Sequence, residues 1–177
     1  MNRRALLSAL LTAPVLASAA VDAASAAEAP AGATGLEPLA LANGWLGERF
    51  TAAGLRGRVV LVDVFTFECI NCVRVTPNLE RLYRRYARTD LEIVAVHTPE
   101  VPSYQSRLAY LARQRRAAAL PWPIAIDNAA RIWRAYDVAA WPTQLLFDRR
   151  GRLQATIVGD GDDGRVNDAV GRLVGRA

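Results

Sequence analysis

Two closely spaced cysteines are the residues of this chain best suited to chemistry. Cys69 and Cys72 are its only two cysteines, and they stand in the sequence Cys-Ile-Asn-Cys shortly after an apolar run. Residues at positions i and i+3 share one face of a helix, so the two sulfurs could reach disulfide distance. A Cys-x-x-Cys pair that opens a helix after a buried strand is typical of a redox site.

The two thiols are expected to have different roles. Cys69 falls in the first turn of the predicted helix, where the helix dipole and unpaired backbone N–H groups favour a thiolate. Cys72 lies one turn deeper and should be more shielded. We therefore predict that Cys69 attacks a substrate disulfide and that Cys72 resolves the mixed disulfide.

Other residues lie where this chemistry would need them. Asp63 stands in the apolar strand, six residues before Cys69. A lone buried carboxylate titrates high and could accept the Cys72 proton, directly or through water. Trp141-Pro142 precedes a predicted hairpin, and a proline at a strand entry is often cis. Such a proline would turn a backbone edge toward the cysteines. Pro77 lies inside the helix and should kink it.

The elements that must hold these residues alternate between strand and helix. Apolar runs predict strands at 59–65, 91–96 and 124–126, and a hairpin at 144–147 and 153–158. Helical spacing predicts helices at 72–87, from Ser103 with Leu108, Leu111 and Ala112 inward, from an Asn128 cap to about Tyr136, and at 163–174. This order implies an α/β fold with a mixed sheet and helices on both faces.

The first residues of the chain have the pattern of an export signal. Arg3 and Arg4 precede an uncharged stretch at 5–20, and Ala24-Ser25-Ala26 fits a cleavage site. The arginine pair also resembles a twin-arginine signal. We predict a signal peptide at 1–26, a linker at 27–35 and one domain at 36–177. The protein would then be periplasmic or otherwise exported. An uncleaved membrane anchor is the alternative, although 16 residues are short for a span.

Composition excludes several classes of site. All 22 basic residues are arginine, so Schiff-base and P-loop chemistry, which need a lysine, are excluded. His97 is the single histidine and is expected to be structural, and no metal site or cofactor is predicted. The net charge of +5 suggests nucleic acid as a partner. However, the arginines are interleaved with acids on predicted helix faces, so we expect no nucleic-acid binding.

These landmarks together resemble a known family. Asp63, the Cys69–Cys72 motif, Pro77 and Pro142 resemble the thioredoxin pattern in order. Residues 100–127 resemble the central insertion of exported thioredoxin-like proteins of the cytochrome c biogenesis type. Residues 55–63, the Cys-Ile-Asn-Cys motif, and the segments 96–100 and 159–162 also resemble thioredoxin-like domains associated with DipZ-type membrane electron carriers.

The resemblance implies a three-layer α/β/α fold with a central mixed sheet and a central αβ insertion. It implies a cis Pro142, with the Trp141 backbone pairing with the bound substrate chain. The implied activity is disulfide exchange with protein thiols, by a monomer served by a membrane carrier of the DipZ or CcdA type, in redox homeostasis or cytochrome c biogenesis. Two residues depart from the pattern: Glu68 replaces the usual tryptophan before Cys69, and Val75 replaces a glutamate frequent in cytochrome-type members.

Two other functions compete with this interpretation. Residues 65–69 resemble the stretch around a peroxidatic cysteine, with Thr66 three residues before Cys69, which suggests a peroxiredoxin-like thiol peroxidase. That chemistry prefers a proline where Val62 stands. Two thiolates can also bind Cu(I), which suggests a non-enzymatic copper carrier or assembly factor with His97 as the candidate third ligand.

Overall fold

A computed structural model describes residues 32–101 and 107–175. The predicted signal peptide at 1–26, most of the predicted linker and the predicted helix start at Ser103 lie outside these residues. Within the described ranges, no helix has the length and apolar character that crossing a membrane requires.

Among residues 32–101 and 107–175, six strands form one mixed sheet. They are β1 (Gly44–Leu46), β2 (Val59–Phe65), β3 (Leu91–His97), β4 (Ile124–Ile126), β5 (Thr143–Phe147) and β6 (Leu153–Val158). The strand order is β1-β4-β3-β2-β5-β6. The β2–β3 and β3–β4 pairs are parallel, and the other pairs are antiparallel. The predicted mixed sheet is thus confirmed, whereas the short β1 strand was not predicted.

In the described part of the chain, five α-helices and one 3-10 helix at Glu37–Leu41 cover the sheet. The α-helices are α1 (Ala52–Leu55), α2 (Ile70–Arg85), α3 (Leu108–Ala117), α4 (Arg131–Ala135) and α5 (Asp163–Val174). The prediction that Leu108 faces inward is wrong, because this side chain is 56% exposed and Leu111 carries the burial of α3. The cap of α4 is also not Asn128, because the preceding Asp127 accepts the N–H groups of residues 131, 132 and 133.

Helices lie on both faces of the sheet, and β2 contributes to both resulting cores. All seven β2 residues are buried, and their side chains alternate between the two faces. Val59, Leu61 and Phe65 pack in a cluster with α2, α3 and α5. Val60, Val62 and Val64 pack in a second cluster with the 3-10 helix, α1 and α4. The predicted three-layer α/β/α architecture is confirmed.

Candidate active site

A tight turn after β2 places Cys69 at the start of α2. The Cys69 N–H donates to the Thr66 carbonyl at 3.3 Å, and α2 begins at the next residue. Cys69 is therefore the N-cap residue, and its Sγ accepts the Cys72 N–H at 3.3 Å. The sulfur therefore lies against the positive end of the helix dipole.

The two cysteines differ in their access to solvent. Both are unpaired thiols here; Cys69 is partly exposed, whereas Cys72 is buried. Burial raises the pKa of Cys72 well above its usual value, and the hydrogen bond with Cys69 and the negative charge of Asp63 act in the same direction. A backbone hydrogen bond from Thr66 opposes these effects. A substrate can thus reach Cys69, while Cys72 stays protonated until it is activated.

Asp63 lies on the α2 side of the central strand. It alternates with Val64 and shares its face with Leu61 and Phe65, which pack against α2. Burial raises its pKa to about 7, although a hydrogen bond with Gln144 on β5 partly opposes this. Its Oδ1 atom has no hydrogen-bond partner among the described residues. A carboxyl group of this kind can take up or release a proton near neutral pH.

Trp141 and Pro142 join at a cis peptide bond, as the family resemblance implies. The Trp141 indole N–H donates to the Thr98 carbonyl at 3.1 Å, and its ring packs against Trp133 with 4.4 Å between ring centroids. The Pro142 carbonyl accepts the Gly159 N–H at 2.9 Å. These contacts fix the segment that enters β5.

An apolar cavity of about 270 Å³ adjoins Cys72. It is lined by the turn after β2, by the first half of α2 including Pro77, and by Leu120 after α3. Pro77 lies inside α2, as predicted. The cavity gives the buried thiol an apolar surrounding, which is consistent with the raised pKa of Cys72.

A polar chain beside the cysteines was missed by reasoning from the sequence. The Thr66 hydroxyl donates to Glu68 at 2.7 Å and lies 3.3 Å from Nε2 of His97. The Tyr110 hydroxyl on α3 donates to the other Glu68 oxygen at 2.7 Å. His97 pairs with Phe65 in the parallel register of β2 and β3, so only that register could have revealed the contact.

Burial and hydrogen bonding set the charges of His97 and Glu68. His97 is 0% exposed, and burial lowers its pKa to about 4, so the ring is neutral at pH 7. Desolvation acts to raise the pKa of Glu68, but the hydrogen bonds from Thr66 and Tyr110 outweigh it and hold that pKa below its usual value. The carboxylate before Cys69 is therefore ionised and tied to α3.

A second group of polar residues supports Trp141. The Thr98 hydroxyl donates to Asp127 at 3.1 Å, while the Thr98 carbonyl accepts the Trp141 indole. Asp127 is 0% exposed and also caps α4. In the part of the chain that the structure describes, no group of three or more His, Cys, Asp or Glu side chains is placed to hold a metal ion.

Comparison with known proteins places this site in a family. Residues 35–156 match the AhpC/TSA family. Protein DipZ of Mycobacterium tuberculosis is 32% identical over 124 residues, which are 68% of this chain but 18% of DipZ. The chain thus spans about a fifth of that relative's length.

Two further similarities agree with this assignment. Thiol-disulfide oxidoreductase ResA of Bacillus cereus is 25% identical over 114 residues, which cover 64% of this chain and 62% of ResA. A solved thioredoxin-like superfamily protein superposes with a TM-score of 0.72 at 21% identity, covering 84% of this chain and 99% of that one. The chain therefore belongs to the AhpC/TSA family, and its fold is thioredoxin-like.

Proposed function

We propose that this protein is an exported thiol-disulfide oxidoreductase that exchanges disulfides with protein substrates through its Cys-Ile-Asn-Cys motif. The observation that carries the proposal is the placement of the two thiols. Cys69 is partly exposed at the N-cap of α2, with its sulfur accepting a helix N–H, while Cys72 is buried one turn further on. This asymmetry suits one attacking thiol and one resolving thiol.

The exchange would proceed in two displacements. The Cys69 thiolate attacks a substrate disulfide, so that a Cys69–substrate bond forms and one substrate thiolate leaves. The Cys72 thiolate then attacks the Cys69 sulfur, which forms the Cys69–Cys72 disulfide and releases the second substrate thiolate. The substrate gains two electrons and the protein loses two. Asp63, with a pKa of about 7, would accept the Cys72 proton.

The surface around Cys69 supports a protein as the substrate. Ile70 and Val73 in the first turn of α2 are 63% and 56% exposed, and Val158 at the end of β6 is 53% exposed. Val158 pairs with Thr143, the residue after Pro142. We propose that a substrate chain lies on this apolar surface and pairs with the backbone of Trp141 beside Pro142.

The setting of the reaction rests on the sequence. Residues 1–26 would direct export to the periplasm, residues 27–35 would form a linker, and residues 36–177 would form one monomeric domain. The similarity to DipZ supports a membrane electron carrier of the DipZ or CcdA type as the redox partner, in cytochrome c biogenesis or general redox homeostasis. We propose no cofactor, no metal and no nucleic-acid partner.

Insulin reduction with a thiol donor tests the proposal. We expect Cys69→Ser to abolish turnover, because the attacking thiol is lost. We expect Cys72→Ser to accumulate mixed disulfides that non-reducing electrophoresis detects. Full turnover by Cys69→Ser would contradict the proposal.

The two competing functions have distinct readouts. The Thr66 hydroxyl is bonded to Glu68 and His97, and this geometry does not favour a peroxidatic Cys69. Stopped-flow peroxide consumption at the rate of an ordinary thiol would exclude a peroxidase. His97 is buried, and its Nε2 contacts Thr66. A Cu(I) titration of the reduced protein against a chelator tests the copper carrier.

A further inference from the structure

The Thr66 side chain lies at the centre of a continuous hydrogen-bonded chain. Thr66 is 2% exposed, and its hydroxyl lies between the His97 ring and the Glu68 carboxylate. Tyr110 completes the chain on the far side of Glu68. This series of hydrogen bonds thus runs from the buried end of β3, through the turn that precedes Cys69, to α3.

The chemistry of the groups fixes the direction of these hydrogen bonds. An ionised carboxylate can only accept, so the single Thr66 hydroxyl proton goes to Glu68. His97 is neutral, and its Nε2 must then carry the proton that the Thr66 oxygen accepts. Its Nδ1 is left as a buried acceptor without a hydrogen-bond partner among the described residues. Because an unmet buried acceptor is costly, core packing alone does not account for a histidine at this position.

The Thr66 backbone connects this chain to both cysteines. Its carbonyl accepts the Cys69 N–H and so closes the turn that sets Cys69 at the N-cap. Thr66 also lines the apolar cavity together with Cys72, and a backbone hydrogen bond from Thr66 acts to lower the pKa of Cys72. A peptide group that is hydrogen-bonded to the Cys69 backbone and lines a cavity with Cys72 can influence both steps of the exchange.

We propose that the Thr66 hydroxyl, clamped between His97 and Glu68, is a positioning group that holds the Thr66 peptide against Cys72 and thereby speeds resolution of the mixed disulfide. This inference rests on the proposed oxidoreductase function. His97 and Glu68 act through Thr66 and touch neither sulfur in this role. The attack by Cys69 depends mainly on the N–H of Cys72, which α2 itself positions.

The expected size of the effect follows from thiolate chemistry. A hydrogen bond to an ionised acceptor is stronger than one to a neutral acceptor, so the backbone hydrogen bond from Thr66 favours the Cys72 thiolate. Loosening this hydrogen bond should lower the Cys72 thiolate fraction by about tenfold. The more basic thiolate is the better nucleophile, with a Brønsted coefficient of about 0.4–0.5, which offsets about half of that loss. Resolution should therefore slow by about threefold.

Stopped-flow reaction of the reduced protein with the aromatic disulfide dithionitrobenzoate separates the two steps. Attack by Cys69 releases a first coloured thionitrobenzoate and leaves the second bound as a mixed disulfide. Attack by Cys72 then releases the second and forms the Cys69–Cys72 disulfide, so the reagent gains the two electrons that the protein loses. We expect Thr66→Val to slow the second phase about threefold and to leave the first nearly unchanged.

Matched variants separate positioning from general damage to the fold. Thr66→Ser keeps the hydroxyl and should restore the second phase, while Glu68→Ala removes the acceptor and should slow it as Thr66→Val does. Thr156→Val makes the same substitution at an exposed position of β6 and should behave as wild type. Equal slowing of both phases in Thr66→Val, or no difference between the Val and Ser variants, would overturn the inference. If the wild-type protein releases only one equivalent of thionitrobenzoate, the oxidoreductase function is refuted, and this inference with it.

Discussion

Among single residues, Asp63 has a marked effect on how stability depends on pH. Its pKa is about 7 in the folded protein, against an ordinary value of 3.8. Between these values the folded protein holds the extra proton, so the free energy of unfolding falls as pH rises from about 4 to about 7. A shift of about three pKa units corresponds to about 4 kcal/mol as an upper bound.

Replacing Asp63 with asparagine removes this titration. We expect Asp63→Asn to be more stable than wild type by up to about 4 kcal/mol near pH 8, and the difference to shrink toward pH 4. Urea unfolding of the reduced proteins across this range measures the effect. Asp168→Asn, at an exposed position of α5, is the matched control. A stability difference that does not change with pH would contradict the buried, raised-pKa carboxyl.

Residues of the site differed in how far the sequence could predict them. The pairing of Cys69 with Cys72 depends on spacing within one helix, and Asp63 stands out as an acid in an apolar run, so both follow from local pattern. The contact between Thr66 and His97 joins residues 31 positions apart, and that between Glu68 and Tyr110 spans 42. These depend on the β2–β3 register and on the placement of α3, which no local pattern encodes.

Among the elements, α4 shows how much one side chain can hold in place. Its five residues would be marginal alone, because short helices have too few internal hydrogen bonds. Asp127 compensates by accepting three N–H groups at the start of α4 and the Thr98 hydroxyl. Since Thr98 in turn accepts the Trp141 indole, the same carboxylate supports the segment that enters β5.

Removing this carboxylate should therefore destabilise the protein strongly. We expect Asp127→Ala to lower the free energy of unfolding by about 3 kcal/mol, because a helix cap and buried hydrogen bonds are lost together. Urea unfolding measures the loss, and Trp141 fluorescence should report loosening of its indole contact. Asp168→Ala is the exposed control. A loss as small as that of the control would show that α4 does not depend on this cap.

The boundaries of elements were predicted best where apolar pattern and burial coincide. The strand at 59–65 and the helix at 163–174 agree with the structure, because the strand is a continuous apolar run and the helix has a regular apolar face. Strand β1 has only three residues, and tertiary pairing with β4 rather than its own pattern makes it a strand. The cap of α4 was misplaced, because Asp127 and Asn128 are both good capping types: the N-cap residue is Ala130, and Asp127 rather than Asn128 accepts the N–H groups of the first turn.

At the scale of the whole molecule, three of the large exposed apolar side chains lie at the cysteine edge of the sheet. Ile70 and Val73 lie on α2, and Val158 ends β6. An ion pair of 3.1 Å between Arg74 and Asp160 links α2 to the loop after β6. Exposed apolar groups gathered around a reactive thiol are suited to binding a partner chain.

A charge placed on this surface should weaken binding of proteins without affecting the thiols. We expect Val73→Asp to raise the KM for insulin about fivefold, since burial of one valine on binding is lost. The reaction with hydroxyethyl disulfide should stay within about twofold of wild type, because this small uncharged reagent needs little of the surface and is not repelled by the new charge. Thr156→Asp, on the exposed part of β6, is the control. Equal effects on insulin and on the small reagent would argue against a protein-binding surface.

Two backbone hydrogen bonds hold residues 33 and 34 at a point remote from the cysteines. Ala33 donates its N–H to Ala135 at the end of α4, and Thr34 accepts the N–H of Leu153 at the start of β6. The Leu153 contact lies at the edge of the sheet where β2 begins, whereas Cys69 follows the opposite end of β2. Seven residues at about 3.3 Å each separate these edges by roughly 20 Å. A chain that tethers the domain through this point would therefore leave the cysteines pointing away from the tether, free to meet partners on the side remote from the attachment.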